Sequence, residues 1–208
     1  MSGVYLPGQV ISESELAKTL DVSRTPVSIA LTTLLERGLL EQKNTKFTVP
    51  TLTLKDVVDL YTCRLAFDGL ATRLAAETIS DKDLQRLEHH LTVWENPPEE
   101  DDLHALWTAD LSFHEIIYEV SNNRHLVRFA QIAAELAAVY RRNTIRRLEN
   151  EGARSREDVR LEHQQIFEAL AARDADRAEA AAREHIQNVI GQLEQMEVID
   201  AAFVLDDA

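Results

Sequence analysis

Between Leu54 and Val198 the chain is interrupted at only five places, and none of the intervening segments alternates apolar and polar residues as a strand would. The breaks are Ser80-Asp81, Asn96-Pro97-Pro98, Ser121-Asn122-Asn123, Glu151-Gly152 and Asp174. They divide this stretch into six helical segments: Leu54–Thr78, Asp81–Glu95, Leu103–Val120, Arg124–Leu148, Arg154–Ala172 and Ala175–Val198. Helices this long joined by short turns must pack antiparallel to hide their apolar faces. Ser80 and Asp174 are the expected N-caps. The acidic tail 199–208 is expected to fray.

The first fifty residues read differently. Ser12-Glu13-Ser14-Glu15 has the spacing of a capping box and opens a helix over Glu13–Leu20, with Leu16, Ala17 and Leu20 on one face. Ser23 is expected to cap a second helix running to about Arg37, with Pro26 tolerable in its first turn and Gly38 as its stop. Val27, Ala30, Leu31, Leu34 and Leu35 form its apolar stripe. Leu39–Gln42 and Lys46–Val49 then read as a hairpin around Lys43-Asn44-Thr45. Helix, tight turn, helix and hairpin is the order of a winged helix-turn-helix. The fold class is therefore mostly α: an N-terminal winged helix-turn-helix at 1–50, a linker at 51–53, and an all-α six-helix antiparallel bundle at 54–198.

Charge follows the same division. Residues 1–50 carry five Lys/Arg and five Asp/Glu, so residues 51–208 hold the whole net charge of −14. Nonspecific nucleic-acid binding by the whole chain is thereby disfavoured, and DNA contact is left to the head. Its candidates are Ser23, Arg24, Thr25 and Ser28 at the second helix, with Lys43 and Lys46 on the hairpin. An Arg at the start of such a helix can reach guanine or a phosphate. The alternative is a helical hairpin that only packs on its neighbour. The single Cys63 excludes an internal disulfide and fits a reducing cytoplasm; it is expected to pack. The longest apolar run, near Ile132–Tyr140, is broken by Glu135, so no membrane span is expected. The N-terminal residues lack the basic and apolar regions of a signal peptide.

In the bundle, Asp110 and His114 are four apart, one turn along a helix face. His163 and His185 each lie eleven residues from Asp174, so a helical hairpin turning there brings them level. Three imidazoles and one carboxylate suit a divalent transition metal, Zn²⁺ first, with Ni²⁺ or Mn²⁺ as alternatives. Taken separately, the first pair could be a surface i,i+4 contact and the other two core histidines. His89, His90, His104 and His125 are expected at helix ends, in solvent. Arg64 lies among Leu60, Leu65 and Phe67 and should point inward. A buried Arg needs an anion, either Asp68 one turn on or the carboxylate of a ligand.

The segment from Leu6-Pro7-Gly8 to Leu39-Leu40 resembles the DNA-binding domain of GntR-type bacterial transcription regulators. The later half resembles the FCD effector domain of the FadR subfamily, and its six helices the VanR-like branch. The residues that carry this are C-R-L-A-F-D-G-L-A, D-L-S-F-H, S-N-N-R-H-L, L-E-H-Q-Q-I-F-E-A-L and A-A-A-R-E-H-I. Three departures stand out. Ser28 replaces an arginine of the family pattern, the wing glycine is replaced near Lys46, and Asp68 stands where Glu is more usual. Only five residues precede Leu6, so the family's first helix is expected to be missing and the head to be the less stable half. The resemblance implies a homodimer on a palindromic double-stranded operator, a metal at Asp110, His114, His163 and His185, and a small carboxylate effector at Arg64. The rival is a metal-dependent hydrolase or lyase using the same Asp/His site, for which no H-E-x-x-H-like base is present.

Overall fold

The computed structural model describes residues 5, 7–51, 53–96, 103–148 and 155–206; of 103–104, 138–148 and 196–206 it describes the backbone only. The head comprises β1 (Val10–Ile11), α1 (Glu13–Thr19), α2 (Arg24–Glu36), β2 (Glu41–Lys43) and β3 (Lys46–Thr48). The bundle comprises α3 (Leu54–Thr78), α4 (Asp81–Glu95), α5 (Leu103–Val120), α6 (Arg124–Leu148), α7 (Arg156–Ala171) and α8 (Ala175–Asp206).

Helix starts follow cap chemistry. Thr53 with Asp56, Ser80 with Asp83 and Ser155 with Asp158 each close a reciprocal capping box on α3, α4 and α7. The Thr53 hydrogen bonds hold the Asp56 carboxyl below its ordinary pKa. The box at Ser155 starts α7 at Arg156, two residues later than expected. Ser23 takes the N-cap backbone conformation of α2 but its side chain makes no cap hydrogen bond. The third helical residue is Pro26, which has no N–H to donate.

Helix ends are equally local. Gly38 has φ +74°, and its N–H reaches Leu35 O at 3.0 Å while Leu39 N reaches Leu34 O at 2.9 Å. These two bonds are the Schellman stop of α2. Arg173, at φ 53°, ends α7 the same way, with Asp174 N on Ala169 O at 3.1 Å. Asp174 Oδ1 then accepts from Arg177 N at 3.0 Å and starts α8. A three-residue link, 172–174, thus makes an α7–α8 hairpin. The expected frayed tail is helical through Asp206, because no Gly or Pro follows Gly191. Residues 207–208 lie outside the described residues.

In the head, β3 is the central strand of an antiparallel sheet ordered β1-β3-β2. Strand β1 was not foreseen: two residues carry no alternation signal, and their pairing with Phe47 and Thr48 is non-local. Ile11, Ala17, Val27, Leu31, Leu40 and Phe47 form the core. Leu20 and Ala30, expected on buried faces, are exposed. The hairpin tip is the two-residue turn Asn44-Thr45, with φ 50° and 70°, between paired Lys43 and Lys46. Both positive angles define a type I′ turn, which favours Asn-Gly. Thr45 is β-branched in the left-handed region, which costs about 1–2 kcal/mol. Thr45→Gly is therefore expected to stabilise the hairpin by about 1 kcal/mol. Amide exchange at Phe47 should slow about fivefold; unchanged exchange would show the turn to be unstrained.

In the bundle α3 packs along α8 and against α5 and α6, while α4 lies on α5 and α7. Gly69 permits the α3–α8 approach, since a Cβ there would stand 2.8 Å from Arg183 Cγ. One core joins Ala71, Ala75, Leu87, Phe113, Ile117, Ile166 and Leu170, and a second joins Val57, Tyr61, Ile186 and Leu193. The head meets the bundle at the end of α2, where Arg37 pairs with Glu135 of α6 at 3.0 Å and Gly38 faces Leu136.

Candidate metal centre and DNA-reading helix

Asp110 and His114 share one face of α5, and the α7–α8 hairpin sets His163 and His185 level, as their equal distances from the turn require. All four are buried, and their donor atoms lie within 4.8 Å of one another. His163 Nε2 is 3.4 Å from His114 Nε2 and 3.4 Å from Asp110 Oδ1, and His114 Nε2 is 4.0 Å from Asp110 Oδ1. Donors held about 2.0–2.1 Å from a tetrahedral zinc stand about 3.4 Å apart, so the spacing fits such an ion. Charge fits as well. Asp68 is already paired with Arg64, so the Asp110 carboxylate in the donor set is left to draw a cation. The donor set therefore suits the metal that the resemblance implies.

His114 is held well below its ordinary pKa, first by burial and then by Arg64, His185 and His163, against an opposing pull from Asp110. It is a neutral imidazole, the form that ligates a metal. Beside it, Arg64 is buried and its Nη2 lies 2.9 Å from Asp68 Oδ2. Burial works against that charge, but Asp68, Tyr61, Asp110 and Tyr118 outweigh it and Arg64 is raised further. Its guanidinium also stacks 5.0 Å from the Tyr61 ring centroid. Asp68 accepts a second hydrogen bond, from the Tyr118 hydroxyl, whose pKa is raised by burial and by Asp68. Asp68 Oδ2 is 3.7 Å from His114 Nδ1. Of the two anions open to Arg64 in the sequence, Asp68 is the one it holds.

Sequence reasoning missed Tyr118, fifty residues from Asp68, and Glu162, which hydrogen-bonds His185; nothing in their local spacing marks them. Other expectations need correction. Cys63 is exposed rather than packed, because its side of α3 faces solvent between the buried Tyr61 and Arg64. His89 and His90 sit inside α4, not at its end. His89 is exposed, while His90 is half-buried and lowered in pKa by burial and by His89. His125 is exposed near the start of α6; the side chain of His104 lies outside the described residues.

On the head, Ser23, Arg24 and Thr25 are exposed at the start of α2, and Lys43 and Lys46 are exposed beside the hairpin tip. Lys43 pairs with Glu41 at 3.2 Å. Glu13 of α1 holds α2: Arg24 Nη2 lies 3.3 Å from its Oε2, and Ser28 Oγ donates to its Oε1 at 3.2 Å. The Arg24 pair is exposed and so contributes little stability. A phosphate or a base can therefore replace Glu13 at modest cost.

Residues 59–188, more than half of the chain, match the FCD domain, and residues 1–48 match the bacterial regulatory proteins of the gntR family. The chain belongs to the GntR family. The HTH-type transcriptional regulator YdhC of Bacillus subtilis is 30% identical over 190 residues, covering 89% of this chain and 80% of that protein. The HTH-type transcriptional repressor RspR of Escherichia coli is 26% identical over 191 residues, covering 91% and 82%. The fold is shared with the E. coli McbR/YncC structure, with TM-score 0.74, 24% identity, and coverage of 94% of this chain and 91% of that one. This GntR protein is thus a transcription regulator with an FCD domain, and not an enzyme. Among the described residues no helix is long and apolar enough to cross a membrane.

Proposed function

We propose that this GntR protein is a cytoplasmic, metal-containing regulator of the FadR subfamily, VanR-like in its six-helix domain. It binds a palindromic operator as a homodimer and responds to a small organic acid. The observation that carries this reading is the buried set Asp110, His114, His163 and His185 with Arg64 close by. Zinc is the preferred ion, and nickel or manganese would be accepted by the same donors. Bound there by four protein donors, the ion would take a carboxylate oxygen only by expanding to five-coordinate. Arg64 would draw the same carboxylate by charge, in competition with Asp68. The Arg37–Glu135 ion pair links the bundle to the head. Coupling of about 1–3 kcal/mol between effector and operator would change affinity roughly 5–150-fold.

Two measurements test the two ends of this account. Arg24→Ala is expected to weaken binding to the duplex upstream of the protein's own gene by about 1–3 kcal/mol. Fluorescence anisotropy against that duplex and a scrambled one decides, because an equal loss on both would remove Arg24 from base reading. Calorimetric titration of the zinc-loaded protein with acetate, lactate and citrate tests Arg64. Arg64→Lys keeps a charge but loses the planar fork, and Arg64→Leu loses both. Both are expected to abolish carboxylate binding with zinc content unchanged. Wild-type affinity in Arg64→Lys and Arg64→Leu would leave Arg64 with Asp68 alone.

A further inference from the structure

We propose that Glu162 is a positioning residue that decides which nitrogen His185 presents to the metal, and that Asn188 holds Glu162 in place. This rests on the metal reading above and adds residues that the four-ligand set does not contain. Glu162 lies on α7 immediately before His163, and His185 and Asn188 lie on α8, three residues apart and so on one helix face. His185 Nδ1 is 2.8 Å from Glu162 Oε2, and Asn188 Nδ2 donates to Glu162 Oε1 at 2.7 Å. Both carboxylate oxygens are therefore engaged by α8. The clamp is sheltered, with side-chain exposure of 3% at His185 and 14% at Glu162.

A carboxylate accepts and cannot donate, so His185 Nδ1 must carry the proton. That leaves the lone pair on Nε2, on the far side of the ring from Glu162. The rings of His163 and His114 stand 4.6 and 5.3 Å from the His185 ring, centroid to centroid. His163 and His114 already approach each other through Nε2. With His185 fixed this way, all three imidazoles converge by the same nitrogen. The tautomer of a ligating histidine is set by the hydrogen bond its other nitrogen makes, and such partners are worth 10–100-fold in metal affinity. Without Glu162 the imidazole can place its proton on Nε2, where it must be lost or moved before a metal binds.

The rival role is a simple tie between α7 and α8. Zinc affinity by competition with a chromophoric chelator, ring ¹⁵N shifts of the metal-free protein, and metal-free melting temperatures separate the two. Wild type, Glu162→Gln, Glu162→Leu and Asn188→Ala are compared. The expected result is an affinity about 10–100-fold lower in Glu162→Leu. A smaller loss is expected in Asn188→Ala, and substantial rescue in Glu162→Gln, whose carbonyl can still accept from Nδ1. Protonated Nδ1 of His185 should be seen in wild type and Glu162→Gln and lost in Glu162→Leu. Wild-type affinity in Glu162→Leu overturns the proposal. So does a loss matched by a fall in metal-free melting temperature with the His185 tautomer unchanged. If wild type binds no zinc, the metal reading fails, while the ¹⁵N shifts still judge whether Glu162 sets the tautomer.

Discussion

Asp68→Ala is expected to destabilise the metal-free protein by about 3–5 kcal/mol, the cost of removing one partner from a buried ion pair. Arg64 and Asp68 are 9% and 2% exposed, so the pair is largely shielded from solvent. The guanidinium would be left buried without its anion, and the Tyr118 hydroxyl would lose its acceptor. Asp68→Asn keeps the shape and an acceptor oxygen and should cost less, while Asp68→Glu restores the residue that the family pattern more often has. Urea unfolding with chelator present reads the effect without a contribution from bound metal. A loss below about 1 kcal/mol would mean that the pair is hydrated or replaced by Asp110, and would place it with surface ion pairs.

His163→Ala is expected to abolish tight metal binding and, with it, the stabilisation that the metal supplies. At free zinc a hundredfold above the dissociation constant that stabilisation is about 2.7 kcal/mol. The substitution also empties a site at 0% exposure, packed 4.8 Å from the Phe113 ring and 5.6 Å from Trp94 by centroid. The cavity lowers stability with or without metal. The metal contribution is therefore the difference between wild type and variant in zinc minus the same difference in chelator. Asp110→Asn, nearly isosteric, removes the one anionic ligand without a cavity and should show the metal loss alone. A zinc-induced shift in melting temperature that survives both substitutions would move the metal elsewhere.

Local chemistry made most of the fold legible. Pro97-Pro98, Ser121-Asn122-Asn123 and Asp174 are breaks that any helix must respect, so the bundle's segments are found within two residues of their expected ends, except where α8 runs on to Asp206. The four candidate ligands were legible because two are one turn apart and two are equidistant from a turn. What stayed hidden is non-local. Val10 and Ile11 become a strand only by pairing with β3. Tyr118 reaches Asp68 across two helices, and Glu162 reaches His185 across a hairpin. Ser23 is the N-cap of α2 as expected, and its side chain makes no cap bond for a local reason that the sequence did contain: Pro26, at the third helical position, has no N–H to donate.

Anomalous diffraction from crystals of the full chain grown with zinc, measured on both sides of the zinc absorption edge, tests the central claim most directly. The expected result is a single strong peak per chain within about 2.0–2.2 Å of donor atoms of Asp110, His114, His163 and His185. Contradiction would be a map with no peak among these four side chains, together with less than about a tenth of an equivalent of zinc, nickel or manganese in the reconstituted protein, far short of the one ion that a tetrahedral site holds.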